Sequence, residues 1–511
     1  MAEFDKKKLL ELMREIAPGK ATAEQESDNE EVFLKNFFPV VDYKRALEPS
    51  ILLIQGGRGV GKTELFRLLA IPSGREALVN SLNIRGLAPL NQTRWIAGFG
   101  RTRKTEKRFP TPEIIEEEMQ NATNLEWRSF WLGLILGVIL QEKESDIASI
   151  IGQELDSNIT TILQNRLSFL SEWRILVKDN FERLNYVLDK LDEQLITSDQ
   201  WLFITYDELD RLLTTYNALA NPIRELLAFW LDRSRRWERI RPKIFLRTDL
   251  FREEFLGFPD ASKLQSHRLE WRPSWLYQLW IKRLANSAQE MRDYLQIIPN
   301  LIWESSTQLG WNVSSDDRLF EKLIEKMIGK YMGANARKGI TYRWIPNHLQ
   351  DTGGRIAPRS FLKLFDLAAA KRLERFEQLT ELYLLQPSDL QGALMDTSED
   401  RIKELAQEEY PWLESLKTNL EGLKAPMPKE TFLDAVRSTK WSPEKQPPVQ
   451  EPEEIMQYLI QLGVVESRLD GRINIPEIYL YGFQVKRSGG VKRHIYRIVS
   501  KPRVNAHWGD I

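Results

Sequence analysis

Residues 51–63 read Ile-Leu-Leu-Ile-Gln-Gly-Gly-Arg-Gly-Val-Gly-Lys-Thr, four apolar side chains running into a G-x-x-x-x-G-K-T loop. Such a run dictates a buried strand, a tight turn and a helix, in that order. Gly56, Gly57, Gly59 and Gly61 let the backbone turn sharply and aim successive N–H groups inward, and the helix opening near Lys62 offers the positive end of its dipole to an anion. Leu65, Leu68 and Leu69 keep helical spacing until Pro72 stops the run. The stretch therefore predicts a nucleoside-triphosphate site, with Lys62 on the β and γ oxygens and Thr63 on magnesium. Gly56, Gly57, Arg58, Gly59, Val60, Gly61, Lys62, Thr63 and Glu64 are all assigned to the nucleotide.

Composition narrows the remaining possibilities. The 72 basic and 73 acidic side chains nearly cancel, so attraction to nucleic acid or to an anionic membrane must come from local patches. The absence of cysteine excludes disulfides and thiol chemistry, and His267, His348, His494 and His507 stand too far apart for ligand spacing. No metal is expected beyond the magnesium of the nucleotide. Phe4 to Ile16 is a charged amphipathic helix rather than a secretory leader, and the longest apolar run, Phe130 to Leu140, is short of the roughly 20 residues a membrane span needs. A cytoplasmic protein with no membrane segment is the expectation.

Along the chain, an N-terminal helix and acidic connection occupy 1–48. An ATPase-like core follows over 49–290, with a helical insertion at about 110–195 between a second strand (Gln92 to Gly100) and a third. That third strand, Trp201 to Asp207, is almost continuously apolar, as a central parallel strand should be, and ends in a carboxylate followed by Glu208. Asp207 is placed to hold magnesium through water and Glu208 to polarise an attacking water. Pro242 introduces a strand over 243–246 ending in Arg247-Thr248-Asp249, where a polar group would face the γ-phosphate. Alternation of strands and helices predicts an α/β class, a parallel sheet with helices on both faces. A helical lid is expected over 291–425, including the helix Ser360 to Ala370. After a proline-marked connection at 441–454 comes a winged-helix-like unit, within 426–511, whose hairpin turns at Asp470-Gly471.

This order of elements resembles AAA+ ATPases and their STAND relatives, especially the branch containing origin-recognition initiators, over about Ser50 to Ala370. Gly56 to Thr63 matches Walker A, and Tyr206-Asp-Glu-Leu-Asp-Arg-Leu212 matches Walker B. Arg247-Thr248-Asp249 falls at the sensor 1 position, Pro358-Arg359 at sensor 2, and Arg268, in Ser266 to Pro273, at the place of an arginine finger acting on a neighbouring subunit. For Arg268 and Arg359 a solvated or salt-bridged side chain is the competing reading. Sensor 1 usually carries a small polar residue, so either Arg247 or Thr248 faces the nucleotide. The separation of Lys62 from Asp207 is far longer than a compact AAA+ core needs. The resemblance implies ATP and Mg2+ as cofactors, a homo-oligomer and an effector protein partner; as a whole the chain is similar to bacterial STAND-type ATPases of conflict and antiphage gene clusters.

Three basic clusters are candidates for nucleic acid: Arg94 to Arg108, Arg233 to Lys243, and the tail with Lys486, Arg487, Lys492, Arg493, Arg497 and Arg503. Each also reads as a solvated face, and Tyr479, Tyr481 and Phe483 read equally as aromatics for bases or as the core of the wing. The leading function is an ATP-driven switch; the alternative is a DNA-binding loader or initiator ATPase, and a small-molecule kinase comes third. No Asn-Lys-x-Asp or Thr-Lys-x-Asp segment favours GTP, since Thr439-Lys440-Trp441-Ser442 lacks the carboxylate. The run Ser488-Gly489-Gly490 lies after Walker B, where an ABC-type signature cannot be.

Overall fold

The computed structural model describes residues 4–16, 29–84, 90–100, 107–142, 146–214, 216–251, 263–264, 266–305, 307–376, 383–408, 410–443 and 445–488. The apolar run at 51–54 forms β1 (Leu53–Gly56), which lies inside a five-stranded sheet with β2 (Thr93–Phe99), β3 (Trp201–Tyr206), β4 (Ile240–Arg247) and β5 (Ser266–Arg268). The order is β2-β3-β4-β1-β5, and every pairing is parallel. All five strands therefore end at the same edge, where ligands of such sheets gather.

Side chains alternate between two cores, as the period of a strand requires. Leu53, Ile244 and Leu246 pack with the helices that follow β2 and β3, whereas Ile54 and Phe245 pack with the phosphate-loop helix, the N-terminal helix Lys6–Glu15 and the C-terminal half of the chain. β4 begins earlier than its sequence predicts. Pro242 lies inside it, tolerated because the ladder with β1 starts only at Ile244, whose N–H donates to Leu52.

Between β2 and β3 six helices run from Pro112 to Thr197. The central one, Asn124–Leu140, opens on a capping box in which Thr123 and Glu126 exchange hydrogen bonds. It is buried nearly all round. Gly133 and Gly137 make that possible, because a Cβ at either would lie 2.4 Å from Trp173 or Leu167 of the neighbouring segments. The insertion also reaches back to the ligand edge: the N–H of Thr214, beyond β3, donates to Glu116 Oε2 at 3.1 Å.

The lid helix Pro358–Glu374 packs along Pro387–Glu408, and Leu413–Leu420, Lys429–Arg437 and Pro452–Leu462 follow. A hairpin pairs Glu466–Ser467 with Ile473–Asn474 around Gly471 at φ 79°, the helix-plus-wing pattern the sequence predicts. The whole is a phosphate-loop α/β core with a helical insertion, a helical lid and a winged-helix-like terminal unit. Among the described residues, no helix is long and apolar enough to cross a membrane.

Candidate nucleotide site

Gly59 and Gly61 adopt φ of 72° and 92°, and Gly61 opens the helix Lys62–Ala70 from the left-handed region. At Gly56 a Cβ would lie 2.5 Å from Val60 Cγ1, so the loop can close on itself only with glycine there. Trp271, just past β5, holds the crest from outside, its Nε1 donating to the Val60 carbonyl at 2.8 Å. The lid approaches the same crest: a Cβ on Gly59 would stand 3.5 Å from that of Ala357 and 3.6 Å from that of Arg359.

Lys62 Nζ donates to the carbonyls of Gly56 and Gly57, both at 3.0 Å. Burial pushes its ammonium below the ordinary lysine range, and Asp207 opposes that shift. Asp207, 3% exposed at the end of β3, is anchored through its N–H to the Phe99 carbonyl at 3.0 Å. The nearby Thr63 hydroxyl favours the charged form of its carboxyl. One oxygen, Oδ2, is buried with no partner. Burial pushes this carboxyl up to about 7, with Glu208 adding to the rise and Thr63 and Lys62 opposing it. A buried carboxylate oxygen left open beside a threonine hydroxyl is a donor set that fits a hard divalent cation, so Thr63 and Asp207 suit Mg2+.

Glu208 stands in the left-handed region at φ 54°, an unfavourable place for a branchless acid that persists where the surroundings demand it. Its carboxylate lies 3.7 Å from Arg211. At the end of β4, Thr248 lines the cavity beside Gly57 and Arg58, donates its N–H to the Gly56 carbonyl at 3.3 Å, and keeps a buried Oγ1 with no partner. Arg247, 6% exposed, is instead held by Asp249 and Asp210. Thr248 thus opens onto the cavity, while Arg247 beside it is clamped by two carboxylates.

The remaining assigned residues are engaged. Glu64 turns to Arg283 at 3.4 Å, while its Oε2 stays beside Gly61, 3.5 Å from where a Cβ there would be. Arg268 pairs with Glu270 at 3.3 Å and lines the cavity over its own phosphate loop. Arg359 pairs with Glu404 at 3.3 Å, and Glu404 also lies 3.7 Å from Arg401, which lines the same cavity. Residues of the lid, Asp351 and Arg355, and of the terminal unit, Leu462 and Tyr479, complete its walls. Asp210, Asp249 and Trp271 lie inside motifs the sequence offers but were given no role of their own, and Tyr410, Arg401 and Glu404 escaped sequence reasoning because they reach the site from distant segments.

The basic clusters fare differently. Arg94 and Arg108 each pair with an acid of the insertion, Asp146 and Glu142, at 3.8 Å, and 101–106 lie outside the described residues. Arg233 lies 4.4 Å over Phe229, Arg236 pairs with Asp189, Arg239 with Asp199, and Lys243 is fully buried, so the second cluster is an internally paired surface. In the tail, Arg487 donates to Asn474 at 2.8 Å, while Lys492, Arg493, Arg497 and Arg503 lie outside the described residues. Tyr479 and Phe483 are buried, which settles them as core of the terminal unit.

No family model matches the chain, and no curated protein matches it. Among solved structures it is similar to the ORC2 protein of Aeropyrum pernix in ADPNP and ADP complexes, at 12% identity over 85% of this chain and 87% of that one, with a TM-score of 0.35. It is similar to Cdc6p from Pyrobaculum aerophilum at 14% identity, covering 92% and 96% of the two chains, with a TM-score of 0.25. Drosophila ORC bound to DNA is a third, at 12% identity over 94% and 93%, with a TM-score of 0.27. Likeness at this level transfers no residue's role to this chain.

Proposed function

We propose that the chain is an ATP-binding and ATP-hydrolysing molecular switch of the AAA+/STAND type, acting as a homo-oligomer in the cytoplasm, read by an effector protein, in a bacterial defence setting. The observation that carries the nucleotide reading is the convergence of Lys62, Thr63 and Asp207, with one Asp207 oxygen buried and unpartnered. In this reading Lys62 and the loop N–H groups bind the β and γ oxygens, and Thr63 and Asp207 hold Mg2+, which neutralises charge developing on the phosphates. Glu208 orients the attacking water. Arg359 approaches from the lid, and Arg268 acts on a neighbouring subunit once it leaves Glu270. The switch reading is supported by the walls of the cavity, because a ligand entering it meets the lid and the terminal unit together.

Steady-state ATP hydrolysis by the purified protein tests this, with Lys62→Ala and Glu208→Gln as controls. Turnover should fall at least about 100-fold in both variants, and nucleotide binding should be lost only in Lys62→Ala. A wild type that does not bind ATP sinks the proposal.

The alternative, a DNA-binding ATPase of loader or initiator type, draws on the hairpin. Its tip presents Leu469, 98% exposed, between Arg468 and Arg472. Stimulation of turnover by duplex DNA, weakening steeply as salt rises, would favour that reading.

A further inference from the structure

One carboxylate oxygen joins the core to the end of the lid, where the lid meets the terminal unit. Arg247 Nε and Nη2 donate to the two oxygens of Asp249 at 3.1 and 2.7 Å, and its Nη1 donates to Asp210 Oδ2 at 3.2 Å. Asp249 Oδ2 also accepts from the hydroxyl of Tyr410 at 3.0 Å. Tyr410 stands between Pro387–Glu408 and Leu413–Leu420, with its ring 6.1 Å from that of Tyr458 on Pro452–Leu462. A guanidinium at the end of β4, three positions in sheet order from the edge and beside β1, is therefore fixed by a carboxylate that the end of the lid also holds through Tyr410. Arg247 sits opposite Gly56 in the β1–β4 register, Thr248 N–H donates to the Gly56 carbonyl at 3.3 Å, and Asp249 lines the cavity with Gly57 and Arg58, so this cluster adjoins the end of the loop where a γ-phosphate belongs.

A γ-phosphate carries more negative charge than a carboxylate and matches the same guanidinium fork. Drawing Arg247 away would leave the Asp249 carboxylate in a nearly dry space beside another anion, and repulsion would push it off. A nucleoside diphosphate has no such group and leaves the clamp intact. We propose that Asp249 is a positioning residue for Arg247 and that its shared hydrogen bond with Tyr410 couples the end of the lid, and through the Tyr458 contact the terminal unit, to the presence of a γ-phosphate: closed with diphosphate, released with triphosphate. The inference rests on the reading of the loop as an ATP site.

Hydrogen exchange on the full chain tests it, with Mg-ADP or Mg2+ and a non-hydrolysable ATP analogue, while displacement of a fluorescent nucleotide monitors binding separately. In the wild type, amides of Leu413–Leu420 and Pro452–Leu462 should exchange about tenfold faster with the analogue than with ADP, the factor a hydrogen bond to a charged group carries. In Tyr410→Phe, which removes only a hydroxyl, and in Asp249→Asn, these amides should exchange fast with both nucleotides. Asp249→Asn should also raise the preference for the analogue over ADP, which a merely structural residue would not do. If the wild type binds both nucleotides with equal exchange, or if Tyr410→Phe keeps the full difference, the coupling is refuted while the ATP site stands. If the wild type binds neither, the ATP reading falls and takes the coupling with it.

Discussion

Asp207 and Lys243 are buried charges on neighbouring strands, both pushed by burial to about 7 from opposite directions, yet they belong to different kinds of place. Lys243 sits opposite Thr205 in the β3–β4 register. Its Nζ donates to the Glu48 and Ile51 carbonyls and stands 5.5 Å over the Phe203 ring. These partners hold the segment preceding β1 against the sheet, and they are a structural use of a lysine. Asp207 has the Thr63 hydroxyl nearby and a buried Oδ2 with no partner. Equal perturbation thus marks a brace in one case and a carboxylate oxygen without a protein partner in the other; the open oxygen separates them, not the size of the shift.

The sharpest way to break this contrast is Asp207→Asn. Affinity for Mg-nucleotide should fall about 100-fold or more, measured by calorimetry, while the nucleotide-free protein becomes more resistant to urea at neutral pH because a costly buried carboxylate is gone. Loss of both binding and stability would make Asp207 a brace like Lys243.

The pH dependence follows with signs worked out for each group. The Asp207 carboxyl is raised in the fold, so its stabilising contribution is fully present below about 3.8 and lost as pH rises to about 7. Lys243 is lowered in the fold, so its burial penalty is full below about 7 and relieved as pH climbs toward 10.5. Urea midpoints of the nucleotide-free protein should therefore fall on the acid side and recover on the alkaline side, each limb on the order of 4 kcal/mol at most. Asp207→Asn should flatten the first limb. Lys243→Met should flatten the second and leave ATP affinity within about twofold, because Lys243 touches no part of the loop.

The smallest effect is expected at Glu404, which holds Arg359 and Arg401 near the lid side of the cavity. Glu404→Gln should strengthen ATP binding by about threefold to tenfold, as a half-exposed Arg359 and a more buried Arg401 lose a competitor of modest strength. Unchanged affinity would place both arginines outside the phosphate's reach.

What could be read in the chain was local. The phosphate loop, the β3 strand with its terminal acids and the hairpin at Asp470-Gly471 each fit in a window of a dozen residues, where periodicity and turn chemistry speak directly. Partnerships across the fold were silent. Asp249 meets Tyr410 over 161 positions and Trp271 meets Val60 over 211, and no residue type in either pair announces its mate. The start of β4 was misread because proline signals a strand boundary, whereas only knowledge of which neighbour begins where shows that Pro242 has no hydrogen bond to lose. Arg268 was placed by its motif at a subunit boundary, and the structure adds that it also lines the cavity of its own chain.

The contact between Glu116 and Thr214 makes the insertion more than an appendage on the far face of the sheet. Its first helix grips the backbone seven positions beyond Asp207, while its last helix feeds directly into β3, so the strand and the acids it ends in are spliced to one helical bundle at both sides. Mechanically it is a handle: a force applied anywhere on that bundle arrives at Asp207 and Glu208 through stiff elements.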